Sequence, residues 1–198
     1  MNFKTPQLLG HTPPILEIPA HQVWHRVQRK SGRGDSVRLK GYVLAPPGGL
    51  AGRFDLPDEA TAYMADSPET ALYESLFRRE LRSCHLSRIE QRTLVSFETV
   101  APVRMVDLRG LEERYPVLQS MRYETSQAFA QACRQQGLHG VLYASAQHPS
   151  HSCMCLLKVG IEQTKKLDTV ELVQPGTGQL HKAVILAARG SQVPILGA

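Results

Sequence analysis

The sequence predicts an α+β fold with a largely strand-built centre. Three observations point there: β-prone runs outnumber helical patterns, only two segments sustain a helical period, and no internal repeat or heptad run organises the 198 residues. Residues of the AVILMFWYC set make up 42%, and 15 glycines bring the total to the globular norm of about 45–50%. Such a chain can bury a core, and its length suits one domain with appendages.

Residues 1–20 hold Pro6, Pro13, Pro14 and Pro19 with little periodicity, so they are expected to form an extended lead-in laid over a domain spanning 21–160. His21–Gln28 alternates as a strand carrying Trp24 and Arg26, and the Gly-rich, basic stretch 31–40 reads as a loop. Pro46–Gly52 is strong turn sequence, which places Arg53 on irregular backbone before a second turn at Asp55–Asp58. Ala60–Ala65 reads as a short strand. A helix start follows at once, with Ser67 as N-cap, Pro68 at the first helical position and Glu69 in the first turn.

From Thr70 to about Arg82 the period is helical, and Leu72, Tyr73, Leu76 and Phe77 fall within about 140° of arc facing the core. Glu74 lies beside that apolar face. Strands are expected at Thr93–Val100 and Val103–Leu108, a second helix at Tyr123–Gln136 stopped by Gly137, and further strands at Gly140–Ser145 and Cys153–Val159. The extension 161–198, expected to pack on the same domain, offers Thr169–Val173 and Ala183–Ala187, either a hairpin or a strand plus a helix.

Several function classes fall away. No apolar stretch approaches the roughly 18 residues of a membrane span, and Met1–Gly10 has no apolar signal core, so a cytoplasmic protein with no membrane partner is expected. Four cysteines make no disulfide framework. The glycines before Arg53 lack the Gly-Lys-Ser/Thr of a phosphate loop, and no Gly-x-Ser-x-Gly elbow is present. His148, His151, Cys153 and Cys155 gather potential metal ligands, but the cysteines are one residue apart rather than two to four, and no second ligand pair exists. No metal is expected. The net charge of +5 permits an anionic ligand without choosing one.

Glu74, Arg53 and Ser145 remain as candidates for chemistry. A carboxylate bordering an apolar helix face suits acid, base or electrostatic work, yet Arg78 four residues on supports an ordinary solvated pair. Arg53, after Gly48, Gly49 and Gly52, sits where backbone permits close approach to a diphosphate, whereas a loop arginine taken alone is more often merely solvated. Ser145 ends a strand, as a ligand contact or a turn residue.

Five segments in order, Trp24–Val27, Gly52–Phe54, Ala62–Ser75, Tyr123–Ala130 and Gly140–Ser145 before the Cys153 strand, resemble the RES domain, the toxin of a bacterial toxin-antitoxin class. The resemblance covers about residues 20–160. It implies a split mixed β-sheet with flanking helices, similar to the ADP-ribosyltransferase toxin fold, with NAD as substrate in its cleft. It also implies cleavage of the nicotinamide–ribose bond, by hydrolysis or phosphorolysis, and a cognate helix-turn-helix (Xre-like) antitoxin, without which no direct DNA binding is expected. Carried onto this chain, it assigns Arg26 and Arg53 to phosphate and ribose oxygens, Tyr63 to nicotinamide, Glu74 to the ribose and Ser145 to ligand orientation. Gln147 stands where the family tends to have arginine, and Phe54-Asp55 where Trp-Asn is common. Transfer of ADP-ribose to a protein is the alternative within that fold. A non-catalytic nucleic-acid-binding module is the alternative from another class, motivated by the early basic residues.

Overall fold

The structure is a computed structural model describing residues 13–120 and 122–197. Pro6 and most of the expected lead-in lie outside the described residues. Ile15–Ile18 forms β1, an edge strand paired antiparallel with β8 (Val103–Asp107), so this part of the lead-in belongs to the sheet. Between them in sequence come β2 (Val23–Arg29), the β3–β4 hairpin (Val37–Leu39, Tyr42–Leu44), β5 (Ala62–Ala65), α1 (Pro68–Ser75), β6 (Cys84–His85), α2 (Leu86–Glu90) and β7 (Arg92–Thr99). A 3-10 turn (Pro116–Gln119), α3 (Glu124–Gln135), β9 (Gly140–Ala144), β10 (Ser152–Leu156), α4 (Lys158–Glu162), β11 (Thr164–Glu171), α5 (Lys182–Ser191) and β12 (Ile195–Leu196) complete the order.

Among the described residues eight strands make one mixed sheet in the order β1-β8-β9-β10-β5-β2-β7-β11, with β8 and β9 its parallel pair. Strand alternation sorts its side chains. One face carries Trp24, Met64, Phe97, Leu142 and Met154 under Tyr42 and Leu44 of the hairpin, whose Tyr42 ring stacks on Phe97 at 3.8 Å. The opposite face bears two separate clusters. One joins α1 and α5 through Leu72, Leu76, Phe77, Ala183, Val184 and Ala187. The other packs Phe54, Leu56 and the α3 residues Phe129 and Cys133. The seam between these clusters is where the candidate residues meet.

The helix start holds as read. Ser67 accepts the Thr70 N–H at 3.1 Å, and Pro68 begins α1. The helix ends at Ser75, short of the expected Arg82, because the N–H groups of Leu76 and Phe77 both turn back to the Leu72 carbonyl. That closure drives Leu76 and Phe77 into the core, each fully buried, and leaves Arg79 and Glu80 on an exposed turn. The strand expected through Val159 likewise stops at Leu156, where Glu59 accepts the Lys158 N–H and α4 begins. The basic stretch read as a loop contains β3, and Gln28 on β2 holds the hairpin through β4, accepting from Val43 N–H while donating to the Gly41 carbonyl of the turn. The C-terminal extension resolves into strand plus helix.

Candidate active site

The sheet is weakest between β2 and β5, which share one register pair, His25 with Ala65. Beyond it the strands part, and Arg26 fills the opening by donating to the Tyr63 carbonyl at 2.8 Å and the Val43 carbonyl at 3.4 Å. Its Nε is buried with no partner among the described residues. Burial lowers its pKa, with no carboxylate at ion-pair distance to offset the cost.

Glu74 projects from α1 to the C-terminal end of β9. Its Oε1 accepts the Ser145 hydroxyl at 2.5 Å and the Gln147 N–H at 3.3 Å. Ser145 in turn accepts the N–H groups of Gln147 at 3.2 Å and His148 at 2.9 Å, so two loop amides orient the hydroxyl that orients the carboxylate. Glu74 Oε2 makes no hydrogen bond among the described residues. The solvated pair with Arg78 is not formed. Arg78 lies 2.7 Å from Glu80 instead.

Arg53 approaches from the opposite wall. Its guanidinium carbon stands 5.8 Å from the centroid of the Tyr143 ring, and it lines a cleft with Tyr143, Ala144, Leu108, Glu112 and Tyr115. Both charges act on Tyr143. Burial raises its phenol pKa well above the ordinary value; among nearby charges Glu74 raises it further and Arg53 opposes. Tyr143 thus remains a neutral floor. Below Glu74 the Cys153 thiol is pushed up by burial and then by that carboxylate, which keeps it protonated.

The Arg53 loop is held by an acid–phenol knot. Tyr63 donates to Asp55 Oδ1 at 2.9 Å and accepts the Phe54 N–H at 2.8 Å, while Gly52 N–H donates to Asp55 Oδ2 at 2.6 Å. Gly52 is needed for close approach: a Cβ there would stand 2.5 Å from Tyr63 Oη and 2.6 Å from Asp55 Oδ1. The Tyr63 hydroxyl is therefore committed to the loop.

On the far side of Ser145 a polar wall continues from α1 to the 145–151 loop. His148 meets Thr70 Oγ1 at 2.7 Å, stacks on His151 at 3.8 Å, and His151 meets Asp66 at 2.9 Å. Gln147, the departure from the arginine of the resemblance, accepts the Arg79 N–H through its side chain at 2.8 Å and ties the loop to the turn that follows α1.

The structure thus pairs Glu74 directly with Ser145, brings Arg53 to the same floor through Tyr143, and links Tyr63 to the Arg53 loop. Arg26 touches this group only through the Tyr63 backbone. Sequence reading missed Tyr143, whose signal was its place two residues before Ser145 on one strand face. It also missed the Gln147 and His148 amides, which have no side-chain signature.

A family model described as the RES domain matches residues 23–173. Among solved structures, the fold is similar to a chain of the M. tuberculosis MbcT-MbcA toxin-antitoxin complex, with a TM-score of 0.55 and 15% identity over 79% of this chain and 86% of that one. No curated protein matches the sequence. None of the described helices is long and apolar enough to cross a membrane.

Proposed function

The chain belongs to the RES domain family, and we propose that it is an NAD-cleaving toxin restrained by a cognate helix-turn-helix (Xre-like) antitoxin. The observation that carries the reading is the Glu74 carboxylate, one oxygen fixed by Ser145 and Gln147, the other unbonded among the described residues, across a tyrosine floor from Arg53. The antitoxin is inferred from the family resemblance, and the similarity in fold to a chain of a toxin-antitoxin complex supports it.

Breaking the nicotinamide–ribose bond releases a neutral amide and moves positive charge onto the sugar. A preoriented carboxylate stabilises that charge more than it stabilises bound NAD, which raises turnover. The free Oε2 can also bind a ribose hydroxyl or take a proton from water. In hydrolysis, water adds to the ribose carbon, nicotinamide departs with the bonding pair, and a proton is released. Arg53 suits the diphosphate because its planar fork makes paired hydrogen bonds. Ser145 fixes the carboxylate, Tyr63 orders the Arg53 loop and adds its ring to the nicotinamide wall, and Arg26 supports phosphate or ribose oxygens at the parted strands.

The test is incubation of the antitoxin-free protein with NAD, with phosphate and a protein acceptor supplied, following nicotinamide release. The expected result is stoichiometric nicotinamide. NAD left intact overturns the proposal. Label carried from NAD onto protein would assign ADP-ribosyl transfer, and a sugar phosphate formed only with added phosphate would assign phosphorolysis.

A further inference from the structure

Where β2 parts from β5, a groove of about 340 Å³ runs along the open strand, lined by Arg26, Arg29, Arg33 and Arg92. Arg29 and Arg92 stand directly opposite each other in the β2–β7 ladder. Like charges in that position are destabilising. Among the described residues neither they, nor Arg26, nor Arg33 has a carboxylate within 4 Å. The acid lining the groove is Asp35, exposed on the loop before β3. Arg26 adds a buried, unpartnered Nε beside the carbonyls that hold its other nitrogens.

The physics of this cluster is that of a site lacking its counter-charge. Arg92 is half-buried, and its pKa is lowered first by that burial and then by Arg29 and Arg88. Guanidinium groups rather than ammonium groups favour a multidentate oxyanion. Neither Glu74 nor Ser145 lines the groove. We propose that it is a phosphate-binding site, taking a phosphate dianion either free or as the phosphomonoester of a nucleotide. This goes beyond the NAD-cleaving reading, with which it shares only Arg26, and the groove variants tested below leave Arg26 in place.

Thermal melts and calorimetric titrations with inorganic phosphate, AMP and adenosine, each against sodium chloride at matched ionic strength, test it. The proteins are wild type, Arg29→Gln, Arg92→Gln and, as a control, Arg104→Gln on β8. Phosphate or AMP is expected to raise the wild-type Tm above the chloride reference, with affinity weakened about tenfold in each groove variant and unchanged in the control. Equal responses to phosphate and AMP identify the free anion. A response to AMP alone, with none to adenosine, identifies the nucleotide. In phosphate-free buffer both groove variants are expected to melt at or above wild type, because a repulsive pair has been removed. Phosphate indistinguishable from chloride, binding that survives in both variants, or variants melting below wild type overturns the proposal. The readout needs no turnover, so its failure and a failure of NAD cleavage remain separate results.

Discussion

Glu74→Gln isolates charge from shape. The glutamine amide oxygen can still accept the Ser145 hydroxyl and the Gln147 N–H that now converge on Oε1, so the fold and the loop are retained while the negative charge is lost. A unit charge about 4 Å from the developing sugar cation is worth about 4 kcal/mol at an effective dielectric near 20, suited to this half-buried cleft. At about 1.4 kcal/mol per decade that corresponds to roughly a thousandfold in rate. The nicotinamide ring of bound NAD already carries positive charge, so part of the attraction acts before the transition state. The expected fall in kcat is therefore about a hundred- to a thousandfold, with a smaller change in KM. Chromatographic quantification of nicotinamide, paired with a thermal melt, measures both quantities. A kcat within about threefold of wild type in a variant that melts normally refutes the assignment of this carboxylate.

Ser145→Ala removes the donor at 2.5 Å, takes from the His148 N–H its acceptor and leaves the Gln147 N–H with Glu74 Oε1 alone; loss of a hydrogen bond to a charged group, about 1.5–3 kcal/mol, is expected to lower kcat about ten- to a hundredfold, and a wild-type kcat would contradict it. Gly52→Ala forces a methyl group against Tyr63 and Asp55, so it is expected to cost about 1–3 kcal/mol of stability in chemical denaturation and to raise KM for NAD as Arg53 moves. Histidines 25, 139 and 148 are each held below the ordinary imidazole value, foremost by burial, with Arg104 adding repulsion at His139 and His151 at His148. Such groups stay neutral in the folded state while the unfolded chain takes up the proton, so their contribution is full above about pH 6.5 and lost as pH falls below it. Melts from about pH 8 down to about pH 5 should show a falling Tm, and a Tm that rises on acidification from pH 6.5 contradicts the sign.

What the sequence disclosed was local. The Ser67-Pro68 start, the β2 strand and the Gly137 stop depend on neighbours a few residues apart, and each stands in the structure. The β3–β4 hairpin escaped because three-residue strands carry no measurable period, and what orders it is tertiary: the Tyr42 ring on Phe97 and Gln28 reaching to Gly41 and Val43. The end of α1 escaped for a related reason. Arg78 to Arg82 have good helix propensity, yet burial of Phe77 in the cluster with Ala183 and Val184 outweighs it. The Arg78 pairing that the four-residue spacing favoured for Glu74 assumed a helix that continues. Once the helix stops at Ser75, Glu74 is free to face β9.

Glu74 depends on more than its own helix. α5 lies beyond the residues matched by the family model, yet it packs on α1 closely enough that a Cβ on Gly190 would stand 2.0 Å from Tyr73 Oη. Tyr73 in turn meets His148 edge-on, with ring centroids 4.8 Å apart, and the His148 amide holds Ser145. A continuous set of contacts therefore runs from the C-terminal segment through α1 to the hydroxyl that orients the carboxylate. Arg53 is set independently, by the Gly52–Asp55–Tyr63 knot on the opposite cluster. The two charges of the candidate site thus belong to different packing units joined across β5, β10 and β9. Placing cation and anion on separate halves of one sheet face keeps them from neutralising each other directly: among the described residues Arg53 and Glu74 form no ion pair.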